Sequence, residues 1–251
     1  MTVVRIEDRE GGVRVLTMDR PPANAINDEL LVELDAALAE AEYDDAVRAV
    51  VLTGAGRFFS GGFDLRAPRQ EADQVARMAV QFKAAPRRLF GFPKPTVAAV
   101  NGHCIAGGHV FAMACDHRLA AEGDYRIGLN EVAIGAAYPV VAMEIMRSRL
   151  SNQLVTELML RAQLYPATEA PRLGLADRMV PAAGLESEAL LLAAQLGAYP
   201  SEVYADTKRR LVADALARID AATLEDDLEI SALWSVESSR AARRAHTDRN
   251  L

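Results

Sequence analysis

Apolar positions along the chain change period several times, and each change predicts an element. "VRVLTM" (Val13–Met18) reads as a short strand. In "INDELLVELDAALAEAEYD" the residues Leu30, Leu31, Leu34 and Leu38 recur at helical spacing, and Asn27 stands where an N-cap belongs. "VRAVVLTG" (Val47–Gly54) is a continuous apolar run closed by glycine, the pattern of a strand buried in a parallel sheet. After the glycine-rich "GAGRFFSGGFDL", helical character returns from about Glu71 to Leu89. "KPTVAAVNG" (Lys94–Gly102) predicts a second buried strand, which leads through "HCIAGG" into the helical "HVFAMACD". "HRLAA" and "YRIGL" predict short strands. From Pro139 onward the pattern is almost entirely helical, interrupted at Pro166, Pro171, Gly174, Pro181 and Pro200, with "ADRMV" (Ala176–Val180) as a last small strand.

Strand and helix therefore alternate before the chain becomes helical, which argues for an α/β core of crossover units. No internal repeat, low-complexity tract or long linker divides it. The expected organisation is a core over residues 1–197 and a helical region over 198–251, rich in Ala, Leu, Arg and Glu, that packs on its own core or on a neighbouring subunit.

Composition narrows the class. With 51% hydrophobic and 25% charged residues, the 251-residue chain is expected to fold around a packed core rather than remain disordered. A net charge of −7 argues against a general nucleic-acid binder. No apolar run approaches the roughly 20 residues of a membrane helix, and "MTVVRIEDREGG" has no signal-peptide pattern. Cys104 and Cys115 make no disulfide framework. A cytoplasmic protein without membrane or nucleic-acid partners is expected.

Two segments have the composition of a ligand site. "VVLTGAGRFFSGGFD" and "AAVNGHCIAGGHVFAMACD" each run from a buried strand into a glycine-rich turn and on towards a helix. Glycine lets a backbone N–H approach a ligand closely, and a helix start adds unpaired N–H groups. Two such turns side by side could aim two donors at one oxygen, as an oxyanion hole does; either turn alone is more often an ordinary strand exit. "TGAG" lacks the third glycine of a dinucleotide fingerprint, no GK[ST] follows to make a P-loop, and "FFSGG" is not a nucleophile elbow. His103, His109, His117 and His246 form no metal-ligand pattern. "YRIGLNEVAIG" holds one carboxylate, Glu131, among apolar residues. It is either a loop glutamate or a base in a dry pocket.

The stretches "RPPANAIN", "VRAVVLTGAGRFFSGGFDL", "KPTVAAVNG", "IAGGHVFAMACDHRLAA", "YRIGLNEVAIG" and "ATEAPRLGLADRMV" together resemble the crotonase superfamily, the enoyl-CoA hydratase/isomerase family, in order and spacing over nearly the whole chain. The resemblance implies a spiral of ββα turns with a C-terminal helical region, assembled as a trimer or dimer of trimers. It implies that the backbone N–H groups of Phe63 and Gly107 hold a thioester carbonyl and that Glu131 is catalytic. Ala23, Ala25, Gly61, Gly62, Asp64, Leu65, Gly108 and Val110 would line the acyl-CoA site. Coenzyme A belongs to the substrate, and no separate cofactor or metal is implied.

Family hydratases resemble one another in carrying two glutamates, and here Val110 occupies the position of one while Glu131 keeps the other. The segment from "AGGHVFAMACD" to "IGLNE" resembles the mitochondrial-type enoyl-CoA delta-isomerases, which have an apolar residue at the same place. Hydration needs a held water and a delivered proton, whereas moving a double bond needs one base that shuttles one proton. The expectation is an isomerase of 3-enoyl-CoA in fatty acid oxidation. The alternatives are another acyl-CoA reaction of the superfamily, such as thioester hydrolysis or decarboxylation, and a non-catalytic acyl-CoA-binding protein. Arg66, Lys208, Arg209, Arg243 and Arg244 are candidates for the coenzyme A phosphates. Met78, Phe82 and Leu89 are candidates for the acyl tunnel or for ordinary core.

Overall fold

The apolar runs decide where the sheets lie. The computed structural model describes residues 2–64 and 72–249. Strands β1 (Val4–Arg9) and β2 (Val13–Met18) pair antiparallel about a 3-10 turn at Glu10–Gly12. Helix α1 (Asp28–Tyr43) starts at Asn27, whose side chain accepts the Leu30 N–H at 3.0 Å, and it buries Leu30, Leu31, Leu34 and Leu38.

A strand–strand–helix unit then recurs. The first is β3 (Ala49–Gly54), β4 (Phe58–Ser60) and α2 (Ala72–Phe90). The second is β5 (Thr96–Val100), β6 (His103–Ile105) and α3 (Gly107–Ala114). The third is β7 (His117–Ala121), β8 (Arg126–Gly128) and α4 (Val140–Arg149), followed by α5 (Asn152–Arg161). Strands β9 (Leu164–Pro166) and β10 (Arg178–Val180) precede helices α6 (Leu185–Gly197), α7 (Ser201–Ala221), α8 (Leu224–Leu233) and α9 (Glu237–Arg249).

The first strand of each unit joins a six-stranded sheet ordered β1-β2-β3-β5-β7-β10, and the second joins a four-stranded sheet ordered β4-β6-β8-β9. The chain steps from one sheet to the other in each unit, which is the expected ββα spiral. Strands β2 to β10 of the larger sheet are parallel, and both faces are covered. Val15, Val51, Val97 and Leu119 pack under Leu185, Ala189 and Ala193 of α6. Leu16, Val50, Leu52, Ala98 and Ala120 point the other way, into the main core with α1, α2 and α3. No helix among the described residues is long and apolar enough to cross a membrane.

Several short strands differ from the sequence expectation. "FFS" within the glycine-rich segment is β4, and "HCI" is β6 rather than an approach to the helix. Strands β1 and β9 also have no counterpart in the expected pattern. The three-residue strands β4, β6 and β9 owe their existence to their neighbours in the sheet rather than to their own periodicity.

Candidate active site

Because β4 and β6 are parallel neighbours, the turns that leave them are neighbours too. Gly62, at φ 83°, shows how close they come: a Cβ there would stand 2.9 Å from the Ala106 Cβ and 3.4 Å from the Gly107 nitrogen. On Gly108 a Cβ would stand 2.5 Å from the Ser60 carbonyl oxygen, so the head of α3 rests directly on the end of β4. Ala106 sits at φ 54°, ψ −127°, a strained conformation for an alanine, and from it the chain turns abruptly into the helix.

Two N–H groups result. Ile26 takes the backbone groups on either side of Phe63: its N–H donates to Gly62 O at 2.8 Å, and its carbonyl accepts the Asp64 N–H at 3.0 Å. The Phe63 N–H is thereby turned away from that pairing. Gly107 is the first residue of α3, where a helix leaves its N–H groups without internal acceptors. Among the described residues neither the Phe63 nor the Gly107 N–H has an acceptor. Adjacent turns thus carry two donors without acceptors.

Glu131 opens a tight turn. Its carbonyl accepts the N–H groups of Ile134 at 3.0 Å and Ala136 at 2.8 Å, and Gly135 closes the turn at φ 67°. The residue is only 7% exposed, and its Oε2 is buried with no hydrogen-bond partner among the described residues. Burial pushes the carboxyl up to about 7, opposed by hydrogen bonding from its own backbone, from Tyr138 and from the Asn130 backbone. Among the described residues no opposite charge contributes to that shift. A carboxyl in that state exists as both acid and base near neutral pH, which suits a group that must take a proton and return it. Val110 is 1% exposed, one turn into α3 beyond Gly107.

The supporting residue that sequence reasoning missed is Asn24. At φ 48°, its side chain donates to Ala55 O at 2.9 Å and Phe58 O at 2.7 Å and accepts the Arg20 N–H at 3.0 Å. The Asn24 carbonyl in turn accepts from Ser60 Oγ at 2.8 Å. These bonds hold the segment of Ala23 and Ala25 against β4. Ala23 O accepts the Gly61 N–H at 2.9 Å, and Ala25 O accepts from Arg20, which also pairs with Asp64 at 2.7 Å. The available signal was the asparagine within "RPPANAIN", since asparagine tolerates positive φ. Tyr138, beside Glu131, carried no motif at all.

Other expectations are redistributed. Leu65 and Arg66 lie outside the described residues. Lys208 cannot meet a phosphate as expected: it is 6% exposed and its Nζ donates to Asp116 at 2.8 Å inside the core. Arg209 pairs with Asp206 and Arg244 with Glu237, while Arg243 donates to Gly135 O at 2.8 Å. Phe82 packs on Phe63 with ring centroids 4.6 Å apart, and Met78 lies against the same core. Leu89 is fully buried, as core. His109 is buried, its Nδ1 3.8 Å from Cys104 Sγ, and burial pushes it down to about 3, so it is a neutral core residue. His103 stacks on Phe58 at 4.8 Å and accepts the Arg126 N–H.

Comparison with known proteins gives a consistent picture. Residues 8–247 match the family model described as enoyl-CoA hydratase/isomerase. A putative enoyl-CoA hydratase of Thermus thermophilus is 34% identical over 233 residues, 91% of this chain and 89% of that protein. The mitochondrial enoyl-CoA delta isomerase 1 of Homo sapiens is 32% identical over 206 residues, 80% of this chain and 68% of that protein. The crystal structure of human mitochondrial delta3-delta2-enoyl-CoA isomerase superposes with a TM-score of 0.93, at 28% identity, covering 98% of this chain and 97% of that one.

Proposed function

The chain belongs to the enoyl-CoA hydratase/isomerase family, and within it we propose an isomerase that converts a 3-enoyl-CoA into the trans-2-enoyl-CoA. The observation that carries this reading is a buried carboxylate, Glu131, with valine where a second would stand. Glu131 is desolvated, with one oxygen unpartnered, and the position of a second carboxylate holds the buried Val110. The neutral-pH poise of Glu131 supports it.

The reaction balances with these groups alone. The ionised Glu131 takes a proton from C2 of the 3-enoyl thioester. The C–H pair becomes the C1–C2 double bond of an enolate, and the charge on the thioester oxygen is held by the Phe63 and Gly107 N–H groups. When the enolate collapses, the C2–C3 double bond forms and the C3–C4 pair takes the same proton from Glu131 at C4. No water enters, and an apolar site limits side reactions of the enolate. Losing one donor of such a pair typically costs on the order of 10²–10³ in rate.

Glycines 61, 62 and 108, with Ala23, Ala25 and Asp64, frame the thioester end in this reading, and coenzyme A enters as part of the substrate. In this reading a trimer or dimer of trimers would cover apolar side chains left exposed on the helices, Leu211 at 78% and Leu160 at 71% among them.

The hydratase reading stays in play because relatives such as the Thermus thermophilus protein carry that name. One assay separates the two: 3-enoyl-CoA and 2-enoyl-CoA are supplied separately and products are resolved by chromatography. Isomerisation without 3-hydroxyacyl-CoA is expected. Hydration of 2-enoyl-CoA without isomerisation would overturn the proposal.

A further inference from the structure

The C-terminal helices reach the site through one side chain. Trp234, the single tryptophan of the chain, follows α8 and is partly buried. Its ring meets the Phe63 ring edge-on, with centroids 5.6 Å apart and planes at 82°. Its indole N–H donates to Ala137 O at 3.1 Å, beyond the turn that Glu131 opens. Arg243 of α9 lies over the indole at 5.9 Å, donates to the Trp234 carbonyl and, at 2.8 Å, to Gly135 O. A Cβ on Gly135 would stand 2.5 Å from the Ser239 Cα, so α9 is pressed onto the same turn. One side chain therefore touches the residue whose N–H is to hold the thioester oxygen and the segment that holds the base.

That span has a direction. A substrate held at the Phe63 and Gly107 N–H groups must run its C2 to C4 carbons past Glu131. The indole bridges Phe63 and the segment after Glu131, so a chain continuing past C4 between them would meet it. Phe63, Phe82 and Phe111 continue the ring contacts inward, at 4.6 and 6.1 Å, and leave the inner side filled. We propose that Trp234 is the end wall of the acyl slot, selecting short acyl chains, and that its indole N–H positions the Glu131 turn. This rests on the acyl-thioester reading above.

Because the chain has no other tryptophan, its own fluorescence is the first test. Unreactive saturated acyl-CoAs, from butyryl-CoA to hexadecanoyl-CoA, should change the emission of the wild-type protein, and coenzyme A alone should not. By calorimetry, Trp234→Ala should move the ratio of Kd values by about tenfold or more in favour of the long chains, since a few newly buried methylenes suffice for that. Trp234→Phe keeps an aromatic wall and loses the N–H. It should retain the short-chain preference while lowering kcat and moving the midpoint of its pH profile downward, as water reaches Glu131. A chain-length profile of Trp234→Ala parallel to wild type, or emission indifferent to the acyl group, would overturn the proposal alone. Absence of binding by every acyl-CoA would overturn the acyl-thioester reading itself. Binding of the saturated series without turnover of any enoyl-CoA would overturn only the isomerase assignment.

Discussion

Replacing Glu131 by glutamine should abolish turnover and make the protein more stable at alkaline pH than at acid pH, relative to wild type. The argument starts from the carboxyl at about 7 against 4.5 when unperturbed. Between those values the native state binds a proton that the unfolded chain releases. Wild-type stability is therefore fully present below about 4.5, falls as pH rises, and levels off above about 7. At about 1.4 kcal/mol per pH unit, the span costs roughly 3 kcal/mol. Glutamine has nearly the same shape and no charge, so it escapes this cost. It brings its own polar atoms to the place where Oε2 has no partner, at about 1–3 kcal/mol, but that penalty does not depend on pH. The diagnostic is therefore the slope. The stability difference between Glu131→Gln and wild type should grow by about 3 kcal/mol in favour of glutamine from pH 4.5 to pH 8. Urea unfolding followed by Trp234 fluorescence, at one fixed protein concentration, measures it, and every other titrating group cancels in the difference. A flat difference across that range would refute a desolvated Glu131. The matching kinetic expectation is that wild-type kcat/KM rises with pH to a plateau above about 7.

Gly62→Ala should lower kcat on the order of 10²–10³, because the new Cβ stands 2.9 Å from Ala106 and forces the two turns apart. The Kd for a saturated acyl-CoA is the control that separates lost stabilisation from lost binding. Lys208→Ala leaves Asp116 with only Thr96, Tyr204 and the more distant Arg149 and should cost about 1–3 kcal/mol of stability, while coenzyme A affinity of the folded protein is unchanged. Thermal unfolding and calorimetry read the two effects. Asn24→Ala leaves the Ala55 carbonyl without its side-chain donor and the Phe58 carbonyl with only the long Asn101 bond at 3.4 Å, and should cost about 1–3 kcal/mol, with kcat falling as the Ala23–Ala25 segment loosens from β4. Denaturant midpoints and turnover should move together.

The parts legible in the sequence are those whose signal is local. The leucines of α1 and its Asn27 cap declare the helix without any partner, and the runs at β2, β3 and β5 are apolar because both faces are covered. Strand β4 is only Phe58–Ser60 among glycines, and it exists because β6 lies beside it. Strand β1 is polar on most of its positions, as an outer strand, and its pattern "VRIEDR" shows little alternation. The candidate site divides the same way. The glycine turns and Glu131 could be picked out by resemblance. Asn24, Ala106 and Trp234 could not, because their roles depend on a backbone angle or on contact across the fold. Lys208 was misread since a basic residue on a polar helix looks solvated until Asp116, 92 positions away in sequence, is placed against it.

Every group that is to carry the chemistry stands where it costs stability. Ala106 has a strained backbone, two N–H groups lack acceptors and Glu131 is desolvated. Such groups stay in place only if the surroundings fix them from several directions, and those directions can be traced. Ile26 and Asn24 fix the first turn from the N-terminal side, and Ser60 fixes the second through Gly108. The Glu131 turn is held from the C-terminal side, by Trp234, Ser239 and Arg243, so its geometry depends on where the last helices are anchored. One anchor is the Asp116 carboxylate, which accepts from Lys208, Tyr204 and Thr96 at 2.8 to 3.1 Å and ties α7 to β5 and the start of β7. Helices α8 and α9 then extend from a clamped α7 over the base. A buried ion pair that gains little net stability can serve here by setting the position of the segment that closes the site.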